Sequence, residues 1–194
     1  MARADKPEWL AAAEGVRTQV AQRIGSKSRE IAFTKNTTEG LNLIAQGYPW
    51  EDGDNMVIDD QEHPVNSVPW LHLRQRGVDV RVAPTQDRRV TVDAIWSRVD
   101  AHTRVIAVSY VQYSTGVRTD LQTLGERCRA HGIHLVVDGI QGVGLLPIDV
   151  EHWGISALSC GAYKALHGPL GLGFLYVAPQ LLERLRPAHL GRSE

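Results

Sequence analysis

The sequence predicts an α/β domain of three layers, α/β/α, built on a mostly parallel sheet. Three observations carry that prediction. Apolar runs such as RVIAVSY (Arg104–Tyr110), IHLVVD (Ile133–Asp138) and GFLYVA (Gly173–Ala178) are continuous, as in strands buried on both faces. Segments with apolar residues at helical spacing fall between such runs. Gly, Pro, Asn and Asp punctuate the joins. Strands alternating with helices in this way form a parallel sheet covered on both sides.

Element by element, Trp9, Leu10, Ala13, Val16, Val20 and Ile24 recur at helical spacing and predict an amphipathic helix from Pro7 to Ile24, ended by Gly25 and Ser26. IAFT (Ile31–Thr34) is a short strand. Asn36 then caps a helix, with Glu39 three residues on, running to about Gln46. NMVIDD (Asn55–Asp60) is a strand, and a helix follows His63–Pro64. Val78–Ala83 is a strand and Val92–Val99 a helix. After strand Arg104–Tyr110, Asp120 caps a helix reaching His131–Gly132. Strands Ile133–Asp138, Ile155–Ser159 and Gly173–Ala178 complete the sheet. Leu181–Leu185 begins a last helix, and Arg186–Glu194 reads as chain leaving the domain. No internal repeat or linker-like stretch interrupts the 194 residues, 43% of them hydrophobic, so one domain is expected.

Bulk properties exclude several classes of function. The net charge of −1 and the lack of a basic stripe give no support to a nucleic-acid partner. No apolar run approaches the ~18 residues that span a membrane. MARADKPEW at the N-terminus lacks the apolar core of a signal peptide. Cys128 and Cys160 show no CxxC spacing, which suits a reducing compartment. A cytoplasmic protein is the expectation.

One residue stands apart. The chain has four lysines against seventeen arginines, and Lys164 sits between two apolar strands in GAYKALHGPLGLGFLYV. Arg does not lose its proton in a protein, whereas a desolvated Lys can become an amine nucleophile. Lys164, flanked by Gly161, Ala162 and Gly168, is placed either as a Schiff-base lysine or as a surface lysine on a loop. Three further features fall beyond the carboxyl ends of strands, where such sheets bind ligands. Thr37 and Thr38, behind Asn36, form either a phosphate seat at a helix start or an ordinary capped helix. Asp138 ends an apolar strand with Gln141 three residues on. It is either the partner of a protonated heterocycle or a loop-bracing acid. His63 could stack on a flat ring or move a proton as a catalytic residue, or simply precede a helix. The glycine-rich GPLGLGF leads into a strand, so it fails as a dinucleotide loop, and no P-loop or GxSxG elbow exists. A nucleotide-binding oxidoreductase would share the fold class but lacks its strand–turn–helix signature. His131 and His134 fall on a helix end and a strand, a poor pair for one metal.

In order, these segments resemble the class V aminotransferase family of pyridoxal-phosphate (PLP) enzymes, which includes cysteine desulfurases, selenocysteine lyases and isopenicillin N epimerase-like proteins. FTKNTTEGLNLIA resembles the family's phosphate-seat segment and EHPVNSVPW its ring-stacking histidine segment. VVDGIQGVGLLPIDV resembles its Asp-x-x-Gln segment, and GAYKALHGPLGLGFLYV its lysine segment. The likeness extends from about Arg23 to His189.

The resemblance implies the large domain of a fold type I PLP enzyme acting on an amino acid or amine. Lys164 would hold PLP through a Schiff base and later act as base. Asp138 would pair with the ring nitrogen, Gln141 with the ring oxygen, and His63 with the ring face. Thr37, Thr38 and Tyr163 would hold the phosphate. A homodimer is implied as well. Gly161 stands where relatives often carry a phosphate-binding hydroxyl. Tyr113 stands where desulfurases carry a polar Asn, which favours the epimerase-like or aminotransferase-like branch. Neither Cys128 nor Cys160 occupies the desulfurase cysteine's place. Family members are longer at both ends, so a truncated large domain, 1–194, is expected. A non-catalytic remnant that binds a partner stays open beside the enzyme.

Overall fold

The computed structural model describes residues 6–85 and 87–189. Seven strands form one sheet in the order β1-β7-β6-β5-β4-β2-β3. They are β1 (Ile31–Thr34), β2 (Asn55–Asp59), β3 (Asp79–Ala83), β4 (Thr103–Ser109), β5 (His134–Asp138), β6 (Ile155–Gly161) and β7 (Gly173–Val177). Only β7 runs against its neighbours, antiparallel to both β1 and β6. The mostly parallel sheet expected from the continuous apolar runs is therefore present. Burial explains the runs: every residue of β2 and β7, and all but one of β4, β5 and β6, is buried.

The helices are α1 (Lys6–Ile24), α2 (Thr37–Gly47), α3 (Pro64–Leu71), α4 (Val92–Trp96), α5 (Leu121–Ala130) and α6 (Pro179–Leu182). They divide between the faces. Ala21 and Ile24 of α1, Ile95 of α4, and Leu121, Leu124 and Cys128 of α5 pack with Ile106, Val108, Leu135 and Val137 on one side. Leu41, Ile44 and Ala45 of α2, Trp70 of α3 and Leu181 of α6 pack with Met56, Val105, Ala107 and Val136 on the other. Successive residues of β4 thus feed opposite cores, which is the period of a strand and the reason for three layers.

Several elements differ from expectation. The Val92–Val99 helix stops at Trp96, because Ser97 onward turns into the loop before β4. Helix α3 ends at Leu71 and continues as a 3₁₀ turn to Arg76, closed by Gly77 in the left-handed region at φ +82°. The last helix begins earlier, at Pro179, where proline's fixed φ suits a first turn. Arg186 does not leave the domain directly: its N–H donates to Gly47 O at 2.8 Å. Residues 190–194 lie outside the described residues. Helix α1 uses little of its apolar face: Ala21 and Ile24 are buried, whereas Trp9, Leu10 and Val16 are exposed.

One close approach matters for the site. A Cβ on Gly40 of α2 would lie 2.2 Å from Ser159 Oγ on β6. Only glycine lets the start of α2 lie this close to the strand that precedes Lys164.

Candidate active site

Thr37 and Thr38 begin α2 just beyond β1, and Asn36 caps that helix by accepting the Glu39 N–H at 2.9 Å. The cap leaves the first-turn amides of Thr37 and Thr38 without helical acceptors. Thr37 itself is turned inward. Its Oγ1 accepts the Gly161 N–H at 2.9 Å and its carbonyl accepts the Ser159 hydroxyl at 2.9 Å. These bonds fasten the α2 N-terminus to the end of β6. Thr38 stays exposed at the mouth.

Asp138 is the last residue of β5 and is 4% exposed. The Ile140 N–H donates to its Oδ1 at 3.0 Å. Among the described residues it forms no ion pair. Burial, opposed by that N–H and by Lys164, raises its carboxyl to about 7. A carboxyl this buried with one donor is poised to receive a cationic N–H.

Lys164 follows β6 on a turn held by three backbone bonds: Ala162 N–H to Leu172 O, Gly168 N–H to Ala162 O and His167 N–H to Lys164 O. His167 adopts a φ of +53°, the left-handed region, to close that turn. The turn fixes the lysine's start while its side chain stays half-buried.

His63 caps α3. Its Nδ1 accepts the Val65 N–H at 3.1 Å, so a neutral ring carries its proton on Nε2. The Tyr113 ring stands edge-on to it, with centroids 4.6 Å apart at 88°.

These elements converge. Thr37, Thr38, His63, Tyr113, Asp138, Gln141, Tyr163 and Lys164 line one pocket, together with Asn36 and Ser109. All seven site residues expected from the sequence are thus brought to one place, at the carboxyl ends of the parallel strands. The arrangement offers free helix-start amides for a phosphate, a buried acid without a cation, an imidazole face and a primary amine. That donor set fits PLP, including its phosphate, its ring nitrogen and its aldehyde carbon. Cys128 and Cys160 are buried core thiols, each pushed up to about 12 by burial, and neither is a ready nucleophile. Among the described residues no cluster of His, Cys, Asp and Glu could hold a metal ion, and no helix is long and apolar enough to cross a membrane.

Sequence reasoning missed the layer beneath the pocket. Asp59 and Glu62 are 2% and 8% exposed and are joined by Gln112, Ser109 and Asn66 in one hydrogen-bonded network. The signal was the segment DDQEHPVN, in which three acids crowd a strand end.

The chain matches the Aminotransferase class-V family over residues 5–193. An uncharacterized aminotransferase of Schizosaccharomyces pombe is 38% identical over 183 residues, covering 93% of this chain and 46% of that protein. A probable cysteine desulfurase of Methanothermobacter thermautotrophicus is 36% identical over 176 residues, covering 90% and 44%. The apo structure of a cysteine desulfurase from Thermococcus onnurineus superposes with a TM-score of 0.87 at 30% identity, covering 92% of this chain and 45% of that one. The chain spans a little under half the length of each. A match across nearly all of the chain, on a fold whose strand ends gather an amine, a buried acid and a helix start, places this chain in the class V aminotransferase family of PLP-dependent enzymes.

Proposed function

We propose that residues 1–194 are the PLP-binding large domain of an enzyme that acts on an amino acid or amine through a Schiff base on Lys164. One observation carries the proposal: the Lys164 side chain and the buried Asp138 carboxyl line the same pocket. When bound, PLP supplies an electron-withdrawing ring that takes up negative charge from the substrate's Cα. The residues of the chain do the rest. Asp138, at the end of β5, would hold the ring nitrogen in its protonated form. Gln141 would donate to the ring oxygen, and His63 would cover a ring face. The amides of Thr37 and Thr38, the Thr38 hydroxyl and Tyr163 would receive the phosphate, where the α2 dipole favours an anion. Lys164 would hold the coenzyme's aldehyde carbon and, as a free amine, would be the base nearest the Cα proton.

Aminotransferase, epimerase and desulfurase or lyase chemistry share these first events, and the proposal covers that class. The enzyme is proposed to be cytoplasmic, in keeping with two buried free thiols. It is also proposed to be a homodimer. Exposed Trp9 and Val16 on α1, and exposed Leu145 and Leu170, offer apolar surface for a second subunit. That surface also suits the reading of a partner-binding remnant without activity. The test is to add PLP, reduce with borohydride and map the adduct. The expected result is a single adduct on the Lys164 peptide. An adduct elsewhere, or none, removes the proposal. Turnover of any amino acid by the loaded protein removes the remnant reading.

A further inference from the structure

The proposed chemistry makes no use of the acids under the pocket. Asp59 closes β2, and Glu62 follows three residues later. Gln112 Nε2 lies 3.1 Å from Asp59 Oδ2 and 3.1 Å from Glu62 Oε1, so one amide bridges the two carboxyls. Glu62 also accepts the Ser109 N–H at 2.5 Å, the Ser109 hydroxyl at 2.5 Å and the Asn66 amide at 2.8 Å. Ser109 pairs in register with Asp138 on the neighbouring strand and itself lines the pocket. Contacts therefore run without a break from Asp59 through Glu62 and Ser109 to the position of Asp138.

The charges around this pair are few. Asp60 lies on the same loop, His63 starts α3, Asp138 comes from β5 and Lys164 from the turn after β6. Among the described residues neither Asp59 nor Glu62 forms an ion pair. Burial first, and then each other's charge for Glu62, raise both acids, Glu62 to about 8. Two neighbouring carboxyls with no cation do not both ionise, and the proton belongs to the pair.

We infer that Glu62, fastened to Ser109 and sharing one proton with Asp59, is a positioning residue that holds the end of β4 beside Asp138 and presents one fixed negative charge to the pocket. This rests on the proposed PLP site for its consequence, though not for the shared proton. Four donors to one carboxyl hold it in a single orientation. A single charge beneath the pocket favours the protonated form of a nitrogen on Lys164 without repelling the phosphate as strongly as two would.

Two measurements test this. In the coenzyme-free chain carrying Asp138→Asn, infrared spectroscopy at neutral pH should show a protonated-carboxyl band. Adding either Asp59→Asn or Glu62→Gln should lower the pH at which it disappears, because the remaining acid no longer faces a second charge. Absence of the band, or an unchanged midpoint in either variant, overturns the shared proton. In the PLP-loaded chain, the absorbance of the Lys164 adduct is titrated with pH. Glu62→Gln should leave the midpoint in place, since Asp59 keeps the single charge. The Asp59→Asn, Glu62→Gln double variant should lower it by about one pH unit. A shift already present in Glu62→Gln, or none in the double variant, overturns the inference. Should the double variant not fold, the wild-type chain decides. Titrated by infrared from about pH 6 to about pH 10, it must release two carboxyl protons, one from Asp138 and one from the pair. Failure of PLP to load would remove the proposed function while the infrared result still stands.

Discussion

At the amino end of the sheet, Asp54 is 4% exposed and meets the Arg104 guanidinium at 2.8 Å. At the carboxyl end, Asp138 is equally buried and meets one backbone N–H. The contrast extends to their neighbours. Around Asp54, the Asn55 amide donates to Asp100 at 2.7 Å, the Thr103 hydroxyl donates to Asn55 at 2.7 Å, and Arg81 bridges Asp79 and Asp100, each at 2.7 Å. The Asn55 hydrogen bond and then Arg81 hold Asp100 below the usual carboxylate range. Around Asp138, by contrast, Asp59 and Glu62 are driven up by burial. One end of the sheet satisfies its acids, and the other leaves them short of positive charge. Unsatisfied charge in a pocket lowers stability in the empty chain and is retained where a ligand completes it. In the proposed function the coenzyme's ring nitrogen would complement Asp138, and the pair beneath must settle its charge alone.

The sharpest way to break this comparison is at the amine. Lys164→Ala should abolish the borohydride-fixed adduct altogether and lower turnover by roughly 10²–10⁴-fold through loss of the base, while circular dichroism stays that of the wild type. Next is Asp138→Asn, which keeps the volume and removes the charge. It should lower turnover by at least about 10²-fold, yet the empty chain should be no less stable at mildly alkaline pH, because a raised acid is gone.

The opposite end should respond in the opposite sense. Arg104→Ala strands a buried Asp54 and should destabilise the fold by on the order of 3 kcal/mol in urea titration, with the yield of Lys164 adduct unchanged. A loss of adduct there would mean that the two ends are coupled. The smallest effect is the pH slope. Asp138 at about 7 and Glu62 at about 8 are raised above their unfolded values, so the folded chain binds more protons than the unfolded chain. Stability should therefore fall from about pH 4.5, where the unfolded carboxyls have ionised, to about pH 8, where the folded ones have followed, by at most about 1.4 kcal/mol per pH unit for each proton released. His134, lowered to about 4 chiefly by burial, opposes that fall between about pH 4 and about pH 6.5, where the unfolded chain holds its proton and the folded chain does not. Loading with PLP should flatten the Asp138 share of the slope. A flat urea midpoint across that range in the empty chain would contradict the charge deficit.

Much of this was legible in the chain because its signals are local. The Asn36 cap is read from its own segment, and the Asn36 side chain does accept the Glu39 N–H. Asp120 likewise caps α5 through the Thr123 N–H at 3.1 Å. Lys164 was legible because arginine takes nearly every other cationic position. The faults came where neighbours decide. Helical spacing in α1 gave no warning that Trp9, Leu10 and Val16 would stay exposed, since periodicity marks an apolar face and not its cover. Glu62 has no place in the predicted site, because the donors that make it notable, Ser109 and Gln112, are more than forty residues away in sequence.

The order of apolar runs and turn residues determined the layers, the parallel sheet and the ordered set of Thr37, Thr38, His63, Asp138, Gln141, Tyr163 and Lys164, since each depends on neighbours within a few positions. Only the tertiary structure decided which acids are paired. The charge state of a buried carboxyl depends on burial and on groups that other strands deliver, and no local pattern encodes that distance.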